Sequence, residues 1–126
     1  MKKKKINYKK ILWPIFSIFI RQKEKGVCFI CGLKRHWKKM QAGHCIPKVA
    51  GGMGLYFFEK NVHCCCYRCN INLGGNGALY ARRIKSVYGD EGLNEIYQRY
   101  DERDKYTISE EEYQKLIKHY SELIQE

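Results

Sequence analysis

The sequence predicts a small α+β protein in which a bound zinc ion ties the N-terminal segment to the centre of the chain. Three observations support this prediction. Apolar residues recur at helical spacing near both ends, whereas residues 27–60 look irregular or extended. Two C-x2-C pairs lie near the two ends of that middle region. The chain has 126 residues, about one domain, and a core of this size benefits from a metal staple.

The first helix is predicted to follow a basic, disordered arm of residues 1–10, with residues 11–126 forming one domain. Pro14 suits a first turn, and Gly26 would end the helix. The apolar run 11–20 could pass for part of a signal peptide, but no small-residue cleavage site follows it. It is also far shorter than the roughly 20 residues of a membrane span. We therefore expect a buried helix and a cytoplasmic protein that does not contact a membrane.

A two-stranded hairpin is predicted in the middle of the chain. Its first strand would end near His44, and the glycine-rich segment 51–54 would form a flexible tip. The aromatic stretch LYFF at 55–58 follows that tip. The hairpin would carry polar residues on strands that lie close to the second cysteine pair.

Helices are predicted from Ala78 to the C-terminus. Apolar residues at 80, 84 and 87 share a face before Gly89 stops the helix, and Asn76 would be its N-cap. Ser109 and Glu112 form a capping box for the last helix, with Ile108 as a staple. The acid-rich C-terminal helices, from about residue 90, would pack on the core or form a homodimer interface.

The charge distribution predicts a polyanionic partner, of which DNA is the common one. The net charge is +11, and residues 1–40 carry 13 lysines and arginines against a single acid, Glu24. Residues 90–126 carry five basic and eleven acidic residues instead. A soluble basic protein without a nucleic-acid partner is the alternative on charge alone.

The cysteine spacing predicts one structural zinc site. Cys28 and Cys31 form one C-x2-C pair, and Cys66 and Cys69 form another. Each pair can present two thiolates to one tetrahedral ion, and four thiolates leave no open position. Spacing alone leaves room for Cys64 or Cys65 as the partner of Cys69. A thioredoxin-like redox motif is the alternative for a single C-x-x-C, but no βαβ context accompanies it.

Several separated motifs resemble the zinc-bound His-Asn-His (HNH) nucleases of the ββα-metal fold, and more closely the phage NinG (Rap) recombination-protein family. The resemblance covers roughly residues 12–100. The matching motifs are WPIFSIFIRQ at 13–22, C-x2-C at 28–31, AGH at 42–44, NVH at 61–63, C-x2-C-N at 66–70, GGN-x3-Y at 74–80 and RRIKSVYG at 82–89.

The resemblance implies a ββα-metal core with three catalytic residues. His44 would be the general base that deprotonates the attacking water. Asn61 would orient the imidazole or hold the hairpin loop. Asn70 would bind a catalytic Mg²⁺ or Mn²⁺ through its amide oxygen.

Two positions depart from the family patterns. The residue before the general base usually supplies a second metal ligand in HNH nucleases, and here it is Gly43. NinG proteins tend to have an acid two residues earlier, where this chain has Gln41. Glu59 or His63 could complete the site instead.

The resemblance implies a metal-dependent, structure-selective endonuclease of phage recombination that cuts branched DNA such as D-loops or Holliday junctions inside the host cell. A non-catalytic zinc-binding DNA module and a sequence-specific HNH endonuclease are the alternatives. Basic residues in the front two-thirds of the chain are the predicted DNA contacts. They are Lys34, Arg35, Lys38, Lys39, Arg82, Arg83 and Lys85, together with the N-terminal lysine arm.

Overall fold

The computed structural model describes residues 4–125 and contains helices packed around a two-stranded sheet, in agreement with the predicted α+β class. Short 3₁₀ turns at 37–39, 59–61 and 103–105 and a π-helical turn at 68–72 connect the longer elements. The main elements are α1 (Tyr8–Lys23), β1 (Gln41–His44), α2 (Lys48–Gly51), α3 (Met53–Tyr56), β2 (Val62–Cys65), α4 (Gly77–Asp101) and α5 (Glu110–Leu123).

Helix α1 begins three residues earlier than predicted, within the expected arm of residues 1–10. The reason is a cap: the Asn7 side chain accepts a hydrogen bond from the Lys10 amide. Pro14 therefore lies inside the helix rather than in its first turn, which corrects the prediction. Of the predicted arm, residues 1–3 lie outside the described residues.

Helix α1 ends as predicted, close to Gly26. Lys25 and Gly26 both have positive φ angles, of 57° and 71°. The Gly26 amide donates to the carbonyl of Arg21, which satisfies the last turn of the helix. A Cβ at Gly26 would lie 1.9 Å from the carbonyl oxygen of Arg35, so only glycine fits there.

The two strands pair antiparallel, with Gln41 opposite Cys65 and His44 opposite Val62. The connection between them is more ordered than the flexible glycine tip that was predicted. It forms α2 and α3, separated at Gly52, where φ is +67°. The first two residues of the aromatic stretch 55–58 lie in α3. Leu55 is fully buried there, and its carbonyl accepts a hydrogen bond from the Asn61 side chain.

Helix α4 follows the sheet and is linked to it through Tyr80, whose hydroxyl donates to the carbonyl of Gly43 at 2.6 Å. Asn76 is the N-cap residue of the helix, as predicted, with φ of 51°, but its side chain makes no capping hydrogen bond. Gly89 interrupts the helix at φ 74° and ψ −176°, as predicted, and the helix resumes beyond it. Val87 is exposed rather than part of the buried face.

Two apolar clusters form the core. One joins the cysteine region, α3 and α4, and the other joins α1, α5 and the sheet. Helix α5 begins at the predicted Ser109 cap and packs on α1, where the Phe16 and Tyr120 rings meet edge to face at 5.0 Å. The acid-rich last helix therefore packs within the chain. None of the helices in residues 4–125 is long and apolar enough to cross a membrane.

Candidate metal centre and candidate active site

The four cysteines predicted to bind zinc come together in the fold. The sulfur atoms of Cys28, Cys31, Cys66 and Cys69 all lie within 4.8 Å of one another. Cys31 is exposed, whereas the other three are buried. The site therefore joins the loop after α1 to the turn after β2, although 34 residues separate the inner two cysteines.

The local backbone prepares each pair for a metal. The Cys31 amide points at the Cys28 sulfur and the Cys69 amide at the Cys66 sulfur, both at 3.5 Å. The Cys31 and Cys66 sulfurs are 3.7 Å apart. A tetrahedral zinc ion with Zn–S bonds of about 2.3 Å places its sulfur ligands about 3.8 Å apart. The four cysteines thus fit a structural zinc ion and leave it no open position.

The charge state of this cluster favours a cation at its centre. A hydrogen bond from the Cys65 thiol lowers the pKa of Cys28 to about 3. Burial raises the pKa of Cys69 to about 12. Four crowded thiols cannot all ionise in a buried place unless a cation offsets their charge. A zinc ion supplies that charge and makes the thiolate form of all four ligands favourable.

The remaining cysteines are not among the four possible ligands. Cys64 and Cys65 lie in β2 and are fully buried. Burial raises the pKa of Cys64 to about 12 and that of Cys45 to about 11. Of the three partners for Cys69 that spacing left open, the structure supports Cys66.

His44 ends β1 with one imidazole nitrogen fixed and the other without a partner among the described residues. Its Nε2–H donates to the carbonyl of Tyr56 at 2.8 Å, and its ring stacks on Trp13 at 5.2 Å. Burial, and to a lesser degree the charge of Lys48, lowers the pKa of His44 to about 4. The imidazole is therefore neutral near pH 7, with the Nδ1 lone pair free to accept a proton.

Asn61 holds the loop between the strands and does not contact the imidazole. Its side chain accepts from the amide of Ile46 at 2.9 Å and donates to the carbonyls of Ile46 and Leu55 at 3.1 Å. The residue is completely buried. Of the two roles that the resemblance offered for Asn61, these contacts favour holding the loop. Leu55, which Asn61 contacts, directly precedes Tyr56, whose carbonyl fixes His44.

Asn70 lies beside β1 and contacts both unusual positions, Gln41 and Gly43. Its amide nitrogen donates to the Gln41 side-chain oxygen at 2.5 Å. A Cβ at Gly43 would lie 2.7 Å from the Asn70 side-chain oxygen and 2.9 Å from the Cys65 sulfur. Close packing of Asn70 against the strand therefore explains why glycine stands where HNH nucleases usually carry a metal ligand.

His44 and Asn70 line the same cavity, of about 460 Å³, between β1 and the glycine-rich turn before α4. Among the described lining residues only Asn70 has a side-chain oxygen, and none of them is Asp or Glu. The other lining residues are Ala42, Gly43, Cys45, Pro47, Lys48, Val49, Gly74, Gly75 and Gly77.

The two alternative ligands do not complete this cavity. Glu59 pairs with Lys23 at 3.2 Å and accepts from the Tyr120 hydroxyl at 2.9 Å. His63 is 1% exposed, and its Nδ1 lies 2.6 Å from a Glu24 carboxylate oxygen. Hard divalent ions prefer several oxygen ligands. One amide oxygen beside a lysine does not fit such an ion.

The seven predicted DNA contacts beyond the N-terminal arm are exposed, but none of them lines the His44 cavity. Lys34 and Arg35 line a separate cavity with Trp37, and Arg83 lies over the Phe29 ring near the cysteine cluster. The remaining exposed members of the predicted set are Lys38, Lys39, Arg82 and Lys85.

The basic residue that does line the His44 cavity is Lys48, which sequence reasoning missed. No motif marks it, since it simply follows Pro47 in the connection between the strands. The sequence placed Trp13 in a helix but gave no sign that its ring stacks on His44. Both Lys48 and Trp13 reach His44 only because α1 and α2 pack against the sheet.

Comparison with known proteins identifies the family. The family model described as "Bacteriophage Lambda NinG protein" matches residues 1–126. Protein ninG of Escherichia phage lambda is 32% identical over 110 residues, which cover 81% of this chain and 52% of that protein. Protein ninG of Escherichia phage 933W is 30% identical over 97 residues, covering 75% and 46%. The chain thus spans about half the length of these curated relatives. No solved structure matches.

Proposed function

The chain belongs to the NinG family of bacteriophage proteins, and from that premise we propose that it is a structure-selective DNA endonuclease of phage recombination. Its substrates would be branched DNA, such as D-loops and Holliday junctions. The order of strand, strand and helix around His44 supports a ββα-metal core for this activity. The basic residues on several faces suit recognition of DNA shape through phosphates more than recognition of base sequence.

One observation carries the proposal: a neutral histidine, fixed by a backbone carbonyl, lines an open cavity next to a lysine. In the proposed reaction Nδ1 of His44 takes a proton from water. The water oxygen then bonds to phosphorus while the bond from phosphorus to the 3′ oxygen breaks, and the 3′ oxygen takes a proton from solvent water to leave as a hydroxyl. The Nε2–H bond to Tyr56 orients the ring and stabilises the imidazolium that forms.

The two metals of the hypothesis have different support. Cys28, Cys31, Cys66 and Cys69 would hold a zinc ion that contributes folding free energy and takes no part in the chemistry. The expected Mg²⁺ or Mn²⁺ would have a single protein ligand in this cavity, the amide oxygen of Asn70, and that ligand does not fit such an ion by itself. The proposed reaction therefore contains no step on that ion.

A non-catalytic zinc-binding DNA module is the second candidate. The lack of a carboxylate around the His44 cavity, in the part of the chain that the structure describes, is the observation that favours it. This candidate keeps the zinc ion and DNA binding but no phosphodiester cleavage.

Cleavage assays on a panel of DNA structures separate the candidates. Wild-type protein would be incubated with linear, forked and four-way DNA, with Mg²⁺, with Mn²⁺ and without added divalent ions. We expect cleavage of the branched forms. His44→Gln can still donate a hydrogen bond to Tyr56 but supplies no base, so its rate should fall by about 10²-fold or more.

Three outcomes would change the assignment. Binding of branched DNA without any cleavage would favour the non-catalytic module. Cleavage of linear duplex at discrete sites would favour a sequence-specific HNH endonuclease. Unchanged cleavage by His44→Gln would remove His44 from the mechanism. Zinc content and circular dichroism would show that the variant is folded.

A further inference from the structure

Lys48 occupies an unusual place for a surface lysine. Its ammonium group lies 3.7 Å from the centre of the Trp13 ring and 5.5 Å from that of Tyr56. These are the two aromatic rings that pack on His44. The cation is therefore held by ring faces next to the imidazole, an arrangement that restrains it without neutralising its charge.

Among the described residues no carboxylate forms an ion pair with Lys48 or with Lys9. Lys9 lies 4.3 Å from the centre of the same Tyr56 ring, so two lysines share it. Burial and the charge of Lys9 both lower the pKa of Lys48. Two neighbouring positive charges repel each other, and a bound anionic ligand would reduce that repulsion.

Lys48 also joins two cavities. One is the His44 cavity, and the other is lined by Trp13, Ser17, Arg21 and Gln41. Both share Lys48, Ala42 and Asn70, and neither has a described carboxylate in its lining. The lining of the His44 cavity also includes Gly74 and Gly75, where an added Cβ would meet no atom within 4 Å. A polymer backbone thus has room to approach and to continue past the lysine.

We propose that Lys48 binds a phosphate of the DNA strand beside His44, with the Trp13 ring positioning its ammonium group. This inference rests on the proposed function, because it takes DNA to be the anion. The ammonium group would donate to a non-bridging phosphate oxygen and bring positive charge to the phosphate that His44 faces. The strand would run along the groove from α1 past β1, and not over the basic residues near the cysteine cluster.

The salt dependence of DNA binding tests this role without relying on cleavage. Binding of a labelled four-way junction would be measured by fluorescence anisotropy over a range of KCl concentrations, without added divalent ions. Lys48→Met keeps an unbranched side chain over Trp13 but removes the charge. We expect its affinity to fall about fivefold near physiological salt and its slope of log affinity against log salt to decrease by about one.

Two further variants make the result specific. Lys48→Arg keeps the charge and the ring contact, so its slope should equal that of wild type. Lys115→Met removes another exposed lysine, one paired with Glu111 on the acidic last helix, and should leave affinity and slope unchanged. A wild-type slope and affinity in Lys48→Met would overturn the proposal, and so would equal losses in Lys48→Met and Lys115→Met.

Cleavage by wild-type protein, measured in parallel, separates this inference from the proposed function. A Lys48-dependent slope in a protein that never cuts DNA would support the phosphate contact and reject the nuclease. Normal cleavage and binding by Lys48→Met would reject the contact and keep the nuclease.

Discussion

The cysteine cluster and the His44 cavity are neighbours in the fold, since Cys69 belongs to the cluster and Asn70 lines the cavity, but they have opposite chemistry. Cys66 follows β2 next to the Gln41 end of β1, whereas His44 is at the other end of that strand. The cluster gathers four soft sulfur donors and suits a cation. The cavity gathers an imidazole, one amide oxygen and a lysine, and suits an anion. The comparison teaches that different residues serve the two purposes: the cysteines can stabilise the fold, and the residues of the cavity can act on a ligand.

The largest effect is expected at the cluster. Cys66→Ser should lose zinc and unfold, because structural zinc contributes about 10 kcal/mol or more of folding free energy and small domains are stable by only about 5–15 kcal/mol. Cys64→Ala should keep the zinc ion, since Cys64 is outside the cluster. Zinc analysis and circular dichroism measure both. Zinc lost from the Cys64 variant but kept in the Cys66 variant would reverse the ligand assignment.

A smaller effect is expected at Asn61, which supports the His44 side of the sheet without touching the imidazole. Asn61→Ala leaves the Ile46 amide and two carbonyls without their partner. Each such buried group costs about 1–3 kcal/mol, so the free energy of unfolding should fall by about 2 kcal/mol or more. Urea denaturation measures it. A loss of cleavage with unchanged stability would instead make Asn61 a participant in the chemistry.

The protonation of His44 should make stability fall in acid. Its folded pKa is about 4, below its ordinary value of 6.5, so the unfolded chain binds the proton more tightly. The associated stability is complete above pH 6.5 and decreases as the pH falls toward 4, by on the order of 2–3 kcal/mol. The difference in melting temperature between wild type and His44→Gln, followed from pH 7 to pH 4.5, isolates this contribution. A constant difference would place the imidazole in a more solvated site.

The smallest effect is expected at Gly43, where the resemblance to HNH nucleases led us to expect a metal ligand and the chain has no side chain. Gly43→Ala would bring a methyl group against Asn70 and Cys65 and should destabilise the protein by about 1–3 kcal/mol. Gly77→Ala is the matched control, because a Cβ there meets nothing within 4 Å. Thermal unfolding compares the two variants. Equal stability of both would mean that Asn70 moves aside freely and that this position can accept a ligand.

Sequence patterns predicted the parts of this protein that follow from spacing. The two C-x2-C pairs predicted the cluster, because two residues between cysteines already bring their sulfurs to one point. Helical periodicity predicted α1, α4 and α5, and local signals predicted the Ser109 cap and the kink at Gly89. Boundaries were predicted less accurately. The Asn7 cap makes α1 begin earlier, and the second strand is Val62–Cys65, whereas the aromatic stretch at 55–58 begins in a helix.

The amino-acid sequence by itself determined the four clustered cysteines, the main helices and the family, because these depend on contacts between near neighbours or on several motifs at fixed spacing. Only the tertiary structure decided the surroundings of His44. Trp13 lies 31 residues before it in the chain, and no spacing rule links the two. Packing of α1 on the sheet, and of α2 beside it, placed a tryptophan and Lys48 next to the imidazole and left every described carboxylate outside the cavity. The charge of a site depends on which distant segments meet there, and that is a property of the fold.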